Sequence, residues 1–257
     1  MKISIITATY NSAKTLSDTL DSILCQTHQD YEVIIQDGLS TDATLDIAHS
    51  YEQRFAGRLR IFSEKDNGLY DAMNRGISHA TGDVVGILNS DDFYADGHVL
   101  EWINEAFEQN NIDCTYADLV YVNHDDTSQV VRRWKGSQYS PGGFVRGWHP
   151  AHPTFYVKRK CLSKYGAFDT SFAVSADFEL MLRLIEKHKI RNCYLPHCLV
   201  VMREGGESNG KLSNIIRGNK NIMRAFRKNG IKVSILYPVK RLLPKIAERI
   251  RNIKFKR

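Results

Sequence analysis

The sequence predicts an α/β domain: a mostly parallel sheet flanked by helices and followed by a C-terminal helical tail. Two observations predict it. Over residues 1–110, four strand-like runs alternate with four helix-like runs, the rhythm by which helical crossovers feed parallel strands. One of those runs, Val84 to Leu88, is apolar throughout and β-branched at three of its five positions, as expected of a strand buried on both faces.

The first strand is expected at Lys2 to Thr7, with a turn at Tyr10-Asn11-Ser12. From Lys14 the residues Leu16, Leu20, Ile23 and Leu24 recur at helical spacing. A second strand, Tyr31 to Gln36, ends at Asp37-Gly38, and Ser40-Thr41-Asp42 caps a helix carrying Leu45, Ala48, Tyr51 and Phe55 on one face. The third strand, Leu59 to Ser63, leads through Glu64 to Gly68 into a helix with Leu69, Met73 and Ile77. Val84 to Leu88 is the fourth, and Val99, Leu100, Ile103 and Phe107 mark the helix after it. Beyond Asn111 the rhythm changes. Strands at Cys114 to Asn123 and Val130 to Lys135 read as a mixed or antiparallel extension, and Tyr139 to His152 is a loop rich in glycine, proline, aromatics and histidine. A strand at Phe155 to Val157, a helix opened by Ser175-Ala176-Asp177, and a strand at Cys193 to Met202 follow. Helices at Lys211 to Asn229 and Pro238 to Ile253 close the chain. No internal repeat or linker appears, so residues 1–210 read as one domain with halves at 1–110 and 111–210, and 211–257 as a basic tail.

Composition narrows the class. A chain of 257 residues that is 42% hydrophobic can bury a large core. Its apolar runs are far short of the ~20 residues of a membrane span, and Ile3 to Ile6 is too short for a secretory signal, so a cytoplasmic protein is expected. Five scattered cysteines, Cys25, Cys114, Cys161, Cys193 and Cys198, make no C-x-x-C pair and indicate neither a disulfide framework nor a zinc site. Charge is divided unevenly: residues 211–257 hold 15 of the 35 basic residues and one acid, Glu248, leaving 20 basic and 28 acidic residues in 1–210, a net of −8. In the tail, Leu242, Leu243, Ile246, Ala247, Ile250 and Ile253 form an apolar stripe among lysines and arginines. Such a helix fits the plane of an anionic leaflet, placing the protein peripherally on the inner face of the plasma membrane, or docks on its own domain. Nucleic acid is not expected, because the rest of the chain is acidic and no binding motif is present.

Chemistry gathers at Asn89-Ser90-Asp91-Asp92, where the fourth strand meets paired carboxylates. In open α/β sheets ligands collect at the carboxyl edge of the strands. Adjacent aspartates there suit a divalent cation bridging to phosphate; an Asx turn or a cap for the helix near Asp96 uses the same letters. The chain has neither G-x-G-x-x-G nor G-x-x-x-x-G-K-[ST], so a phosphate would be held another way, and a metal on the pair would do it.

Six pieces in this order resemble the family 2 glycosyltransferases with the GT-A fold, inverting enzymes of the bacterial surface-polysaccharide type: Ser4 to Asn11, Asp37 to Asp42, Asp66 to Gly76, Gly82-Asp83, Leu88 to Asp92 and Ser175 to Leu180. The resemblance implies a GT-A-like nucleotide-binding sheet and transfer of a hexose-type sugar from a nucleotide-sugar, most simply a UDP-sugar. The acceptor would be a saccharide or lipid-linked saccharide in lipopolysaccharide, capsule or exopolysaccharide synthesis, and the cofactor Mg²⁺ or Mn²⁺. It implies a base seated over Thr9 and Tyr10, with Asp37 accepting the uracil N3–H, although Gly38 stands where the commoner pattern has a second aspartate. Asp66, Asn74 and Arg75 would line the donor, Asp91 would hold the ribose and Asp92 the metal. Asp177 would be the catalytic base, with Ala176 where an acid usually precedes it. Trp148, His149 and His152 would meet acceptor or donor phosphates, and Arg203 a phosphate. Plainer readings stand beside these: a tight turn at Asp37-Gly38, a solvated helix face for Asn74 and Arg75, and a dipole-stabilised helix carboxylate at Asp177. Two other functions share the layout, sugar-phosphate nucleotidyl transfer and non-catalytic binding of nucleotide-sugar or glycan. The first usually has a glycine-rich basic first loop, which Thr7 to Lys14 lacks, and the second would not need both Asp92 and Asp177.

Overall fold

The structure is a computed structural model that describes residues 1–205 and 212–238. The first half follows the expected alternation. Strands β1 (Ile3–Thr9), β2 (Tyr31–Asp37), β3 (Leu59–Ser63) and β4 (Val84–Ile87) lie in the order β3-β2-β1-β4, all parallel. Helices α1 (Leu16–Leu24), α2 (Thr44–Ser50), α3 (Glu52–Phe55), α4 (Leu69–His79) and α5 (Val99–Gln109) make the connections or follow them. β1, β2 and β4 are buried along their whole length, as strands covered on both faces must be. Period-two alternation divides β1 between the two cores. Ile3 and Ile5 join Leu16, Leu20 and Ile103, while Ile6 and Ala8 join Met73, Val85 and Ile87 on the other face. The helix expected from Leu45 through Phe55 is divided at Tyr51 into α2 and α3; Ala48, Tyr51 and Phe55 are buried and Leu45 only partly.

The second half extends the same sheet with mixed strands, as expected. β6 (Cys114–Val122) pairs antiparallel with β7 (Val130–Trp134) and with β8 (Tyr156–Lys158), and parallel with β9 (Asn192–Arg203). β8 also pairs antiparallel with β4, so it stitches the two halves into one sheet. Two short elements were not foreseen: β5 (Phe93–Tyr94), which pairs with β9, and α6 (Arg159–Tyr165). Helix α7 (Ala176–Met181) runs on through a π-helical turn, Leu182–Lys187.

Helix α8 (Leu212–Lys228), expected as the start of a separate tail, is built into the second core. Ile222, Ala225 and Phe226 are buried, with the Phe226 ring 5.7 Å from that of Phe178. Asn221 Nδ2 donates to the Val174 carbonyl at 2.9 Å and Asn229 Nδ2 to Glu179 Oε1 at 2.9 Å. The stripe expected between Leu242 and Ile253 lies outside the described residues. All five cysteines are free, and no described helix is long and apolar enough to cross a membrane.

The join between the halves depends on a missing side chain. Gly86 on β4 faces Tyr156 on β8, and a Cβ on Gly86 would lie 2.0 Å from Tyr156 Cε1. Tyr156 is fully buried and its hydroxyl bonds that of Tyr94 at 2.5 Å, so the ring cannot retreat. Gly86→Ala is therefore expected to destabilise the fold by about 1–3 kcal/mol or more through overpacking, read as a lower urea midpoint at unchanged slope.

Candidate active site

Of the expected site residues of the first half, Thr9, Tyr10, Asp37, Asp91 and Asp92 collect at the carboxyl ends of β1, β2 and β4. Asp37, the last residue of β2, is fully buried and accepts four hydrogen bonds. Thr9 Oγ1 at 3.1 Å and Ser40 Oγ at 2.5 Å reach Oδ1, while the Ser40 amide at 3.0 Å and Ser63 Oγ at 2.8 Å reach Oδ2. A carboxylate offers about four lone-pair positions, and all are taken. In this arrangement Asp37 builds the turn. Asn11 and Leu39 hold positive φ, 51° and 64°, and the Asn11 side chain accepts the Thr41 amide at 2.8 Å, locking the first two turns together. Tyr10 projects from this lock, 65% exposed.

The paired aspartates sit in unlike environments. Asp92 is fully buried; its Oδ2 accepts Asn89 Nδ2 at 2.9 Å and its Oδ1 the Arg203 amide at 3.2 Å. Burial first, then the neighbouring Asp91 charge, holds its carboxyl well above the usual range. Asp91 is half-buried and its carboxylate makes no hydrogen bond among the described residues. Arg203 is also buried. Its Nη1 donates to the Asp91 carbonyl at 2.5 Å and its Nη2 to the Asp18 carboxylate, so it clamps the turn instead of waiting for phosphate.

Asp177 sits in the first turn of α7, after Ser175, which adopts the left-handed conformation at φ 70°. Its Oδ1 accepts the Tyr70 hydroxyl at 3.1 Å and its Oδ2 lies 3.1 Å from His152 Nδ1. The carboxylate keeps 23% of its surface exposed. Burial, and then the Asp177 charge, raise the Tyr70 phenol above its ordinary range, keeping it a donor. Because Tyr70 stands in the first turn of α4, Asp177 is brought to the same edge of the sheet as the segment after β3. An apolar pocket bordered by Leu69, Met73, Phe155 and Phe168 adjoins Asp177 and His152.

Other expected residues are placed elsewhere or occupied. Asn74 donates to the Phe168 carbonyl at 2.8 Å and accepts the Phe168 amide at 2.9 Å, anchoring the segment before α7. Arg75 pairs with Glu64 at 2.6 Å and Asp71 at 3.2 Å. Asp66 is half-buried beside Gly38, with Oδ1 accepting the Gly68 amide at 2.8 Å. Trp148 and His149 enter an aromatic cluster with Tyr116, Phe144, Trp134 and Phe178. Tyr70 and Asp18 were not singled out from the sequence; Tyr70 lies inside a resembling motif, whereas nothing in the sequence marks Asp18.

Among the described residues no three His, Cys, Asp or Glu side chains come together around a metal position. Magnesium-like ions ordinarily take one or two carboxylates and complete their shell with substrate phosphate and water. One presented carboxylate, Asp91, fits that habit and fits no closed structural cage.

With this geometry in place, likeness to known proteins becomes informative. The family model described as "Glycosyl transferase family 2" matches residues 4–173. A "PGL/p-HBAD biosynthesis glycosyltransferase" of Mycobacterium bovis is 30% identical over 248 residues, 96% of this chain and 92% of that protein. Among solved structures, S. aureus TarS residues 1–349 superposes with a TM-score of 0.68 at 18% identity, over 93% of this chain and 68% of that one, and TarS has also been solved with UDP and with UDP-GlcNAc. The mannosyltransferase PcManGT of Pyrobaculum calidifontis, in complex with GDP-Man and Mn²⁺, gives 0.65 at 21% identity, over 94% of this chain and 67% of that one. The matched span takes in the strand ends that carry Asp37, Asp66 and Asp91 and stops just short of Asp177, and the chain belongs to glycosyl transferase family 2.

Proposed function

We propose that this glycosyltransferase moves a hexose-type sugar from a nucleotide-sugar, a UDP-sugar in the first instance, to a saccharide or lipid-linked saccharide acceptor in surface-polysaccharide assembly, with inversion at the anomeric carbon. The observation that carries the reading is Asp177, an accessible carboxylate steered from both sides by Tyr70 and His152 at the sheet edge where Asp91 presents its own. The donors named in the titles of the TarS and PcManGT structures support the substrate class.

The residues divide the chemistry as follows. An acceptor hydroxyl is a weak nucleophile, and a carboxylate within hydrogen-bond reach takes its proton as the new bond forms. Asp177 does this with one oxygen facing Tyr70 and the other facing His152, so its orientation is set before substrate arrives. A single displacement with one base inverts the centre, and an α-linked donor yields a β-glycoside. Asp91 would hold a divalent ion, Mg²⁺ or Mn²⁺, which when bound neutralises charge on the departing diphosphate as a Lewis acid. Asp92, Asn89 and Arg203 keep the Asp91 turn in shape from below. The eight cations of residues 240–257 support contact with an anionic membrane surface on the cytoplasmic side.

Asp177→Asn should lower sugar transfer by about 10²–10⁴-fold, measured as acceptor-dependent release of nucleoside diphosphate, while leaving UDP affinity unchanged; transfer at near wild-type rate would place the base elsewhere. Asp91→Ala should remove the extra thermal stabilisation that UDP gains from Mn²⁺, and retention of that increment would shift the metal role off Asp91. For Asp92 the sign follows from linkage. The folded carboxyl keeps its proton to higher pH than the unfolded one, so between the two pKa values the unfolded chain binds fewer protons and stability falls as pH rises. Urea titrations of the chelated protein from pH 5 upward should show that decline, and Asp92→Asn should flatten it.

A further inference from the structure

Helix α8 buries one face and shows the other. Ile222, Ala225 and Phe226 lie in the second core, and the opposite face carries Arg217, Lys220, Arg224 and Arg227, all exposed. No acidic residue occurs in residues 211–238. Asp169 answers Lys228 at the edge of this face, and Arg224 donates to the Ser171 carbonyl at 2.9 Å; Lys220 and Arg227 pair with no acid among the described residues. The helix ends at Gly230, φ 69°, where the Gly230 amide bonds the Arg227 carbonyl at 3.0 Å and the Ile231 amide the Phe226 carbonyl at 2.9 Å, the two bonds of a Schellman cap. The cap turns the chain back, so that Pro238 borders a groove with Lys220, Met223, Arg224 and Arg227. A tight turn, the Tyr237 amide on the Ser234 carbonyl at 2.9 Å, stands on that return path. Tyr237 is buried with its ring 5.0 Å from that of Phe226 and anchors the turn, whereas Ile235 and Leu236 just before it are 86% and 58% exposed. Ile235 is the most exposed large apolar side chain among the described residues.

Apolar side chains exposed singly are ordinary on a protein surface. Two in succession, held out by an anchor in the core beside a cationic helix face, have the make-up of a surface that meets lipid: cations for the phosphates and aliphatic groups for the acyl boundary. Residues 1–210 carry a net charge of −8, which an anionic leaflet repels, so the same field turns α8 toward it. Resting on the membrane contact proposed above for residues 240–257, we infer that the outer face of α8 and the Ile235-Leu236 turn form the bilayer-docking surface of the folded domain, with Lys220, Arg224 and Arg227 on the headgroups and the turn in the acyl boundary. Through Asn221, α8 also holds the Val174 carbonyl at 2.9 Å, three residues before Asp177. The docked face and the proposed base thus belong to one packed unit, which sets the base at a fixed height over a leaflet that presents a lipid-linked acceptor.

The test is co-sedimentation of the full chain with phosphatidylcholine vesicles made with and without phosphatidylglycerol. The wild type should bind the anionic vesicles, and high salt should release it. Ile235→Ser combined with Leu236→Ser should weaken that binding by about 10- to 100-fold. Lys220→Gln combined with Arg227→Gln should weaken it by about 10- to 30-fold. Neither pair should move the melting temperature, since all four side chains are exposed. Ile235→Trp should add emission that brominated acyl chains quench, a signal that contact through residues 240–257 alone does not produce. Double variants that both bind as the wild type does, or Ile235→Trp emission untouched by brominated lipid, would overturn the docking surface and leave membrane contact to residues 240–257. Binding to polyphosphate in solution as tight as to vesicles would assign the cations to a soluble polyanion and overturn the bilayer. A wild type that ignores anionic vesicles would overturn the proposed membrane contact and this inference with it.

Discussion

Arg203 arrives at the end of β9 with its guanidinium below the surface, and a buried guanidinium must find acceptors for its donors. It finds the Asp91 carbonyl and the Asp18 carboxylate, lies 5.1 Å from the centre of the Phe93 ring, and gives its own amide to Asp92. Three stretches far apart in sequence thus converge on one residue: α1, the Asp91-Asp92 turn that runs into β5, and β9. Breaking a fully buried pair typically costs ~3–5 kcal/mol, whereas an exposed pair is worth ~0.2–1 kcal/mol. Asp18 is 58% exposed, so its share is the smaller one and the weight falls on the carbonyl of the Asp91 turn. The clamp therefore does more to shape the turn than to balance charge.

That constraint explains how two adjacent aspartates come to differ. One is held inward by Asn89 and the Arg203 amide, where burial raises its pKa; the other is left at the edge with its carboxylate unengaged among the described residues. Burial separates the two environments, and the site acquires one presented carboxylate instead of two competing ones. At β2, too, neighbours fix a carboxylate: the hydroxyls of Thr9, Ser40 and Ser63 hold Asp37 in its turn.

Much of this was legible in the sequence, and the illegible part has a common cause. Strands β1 to β4 could be read because parallel strands buried on both faces are continuous apolar runs, and α4 and α5 because their apolar residues keep helical spacing. β5 and α6 escaped notice at two and seven residues, too short for a period to show. Asp177 could be placed at a helix start, but not Tyr70 and His152 against it, which come from 107 and 25 positions away. Asn74, read as a donor contact, bonds the Phe168 backbone, and Trp148, read as an acceptor contact, packs on Tyr116 and Phe144. In each case the sequence shows a residue type suited to chemistry, and a distant segment supplies the partner that it meets. The basic character of 211–257 likewise hid the apolar face by which α8 joins the core.

The insertion of β8 between β4 and β6 bears on synthesis in the cell. While only the first half of the chain has emerged, β4 is an edge strand, apolar on both faces and with unpaired backbone groups along one side. Its partner follows about 70 residues later, on the order of 10 s at ~5–20 residues per second. For that interval the nascent domain exposes a sticky edge that the finished protein conceals. Slow stretches of translation between the two strands would lengthen the exposure, and overexpression would multiply the chance that two incomplete chains pair through it.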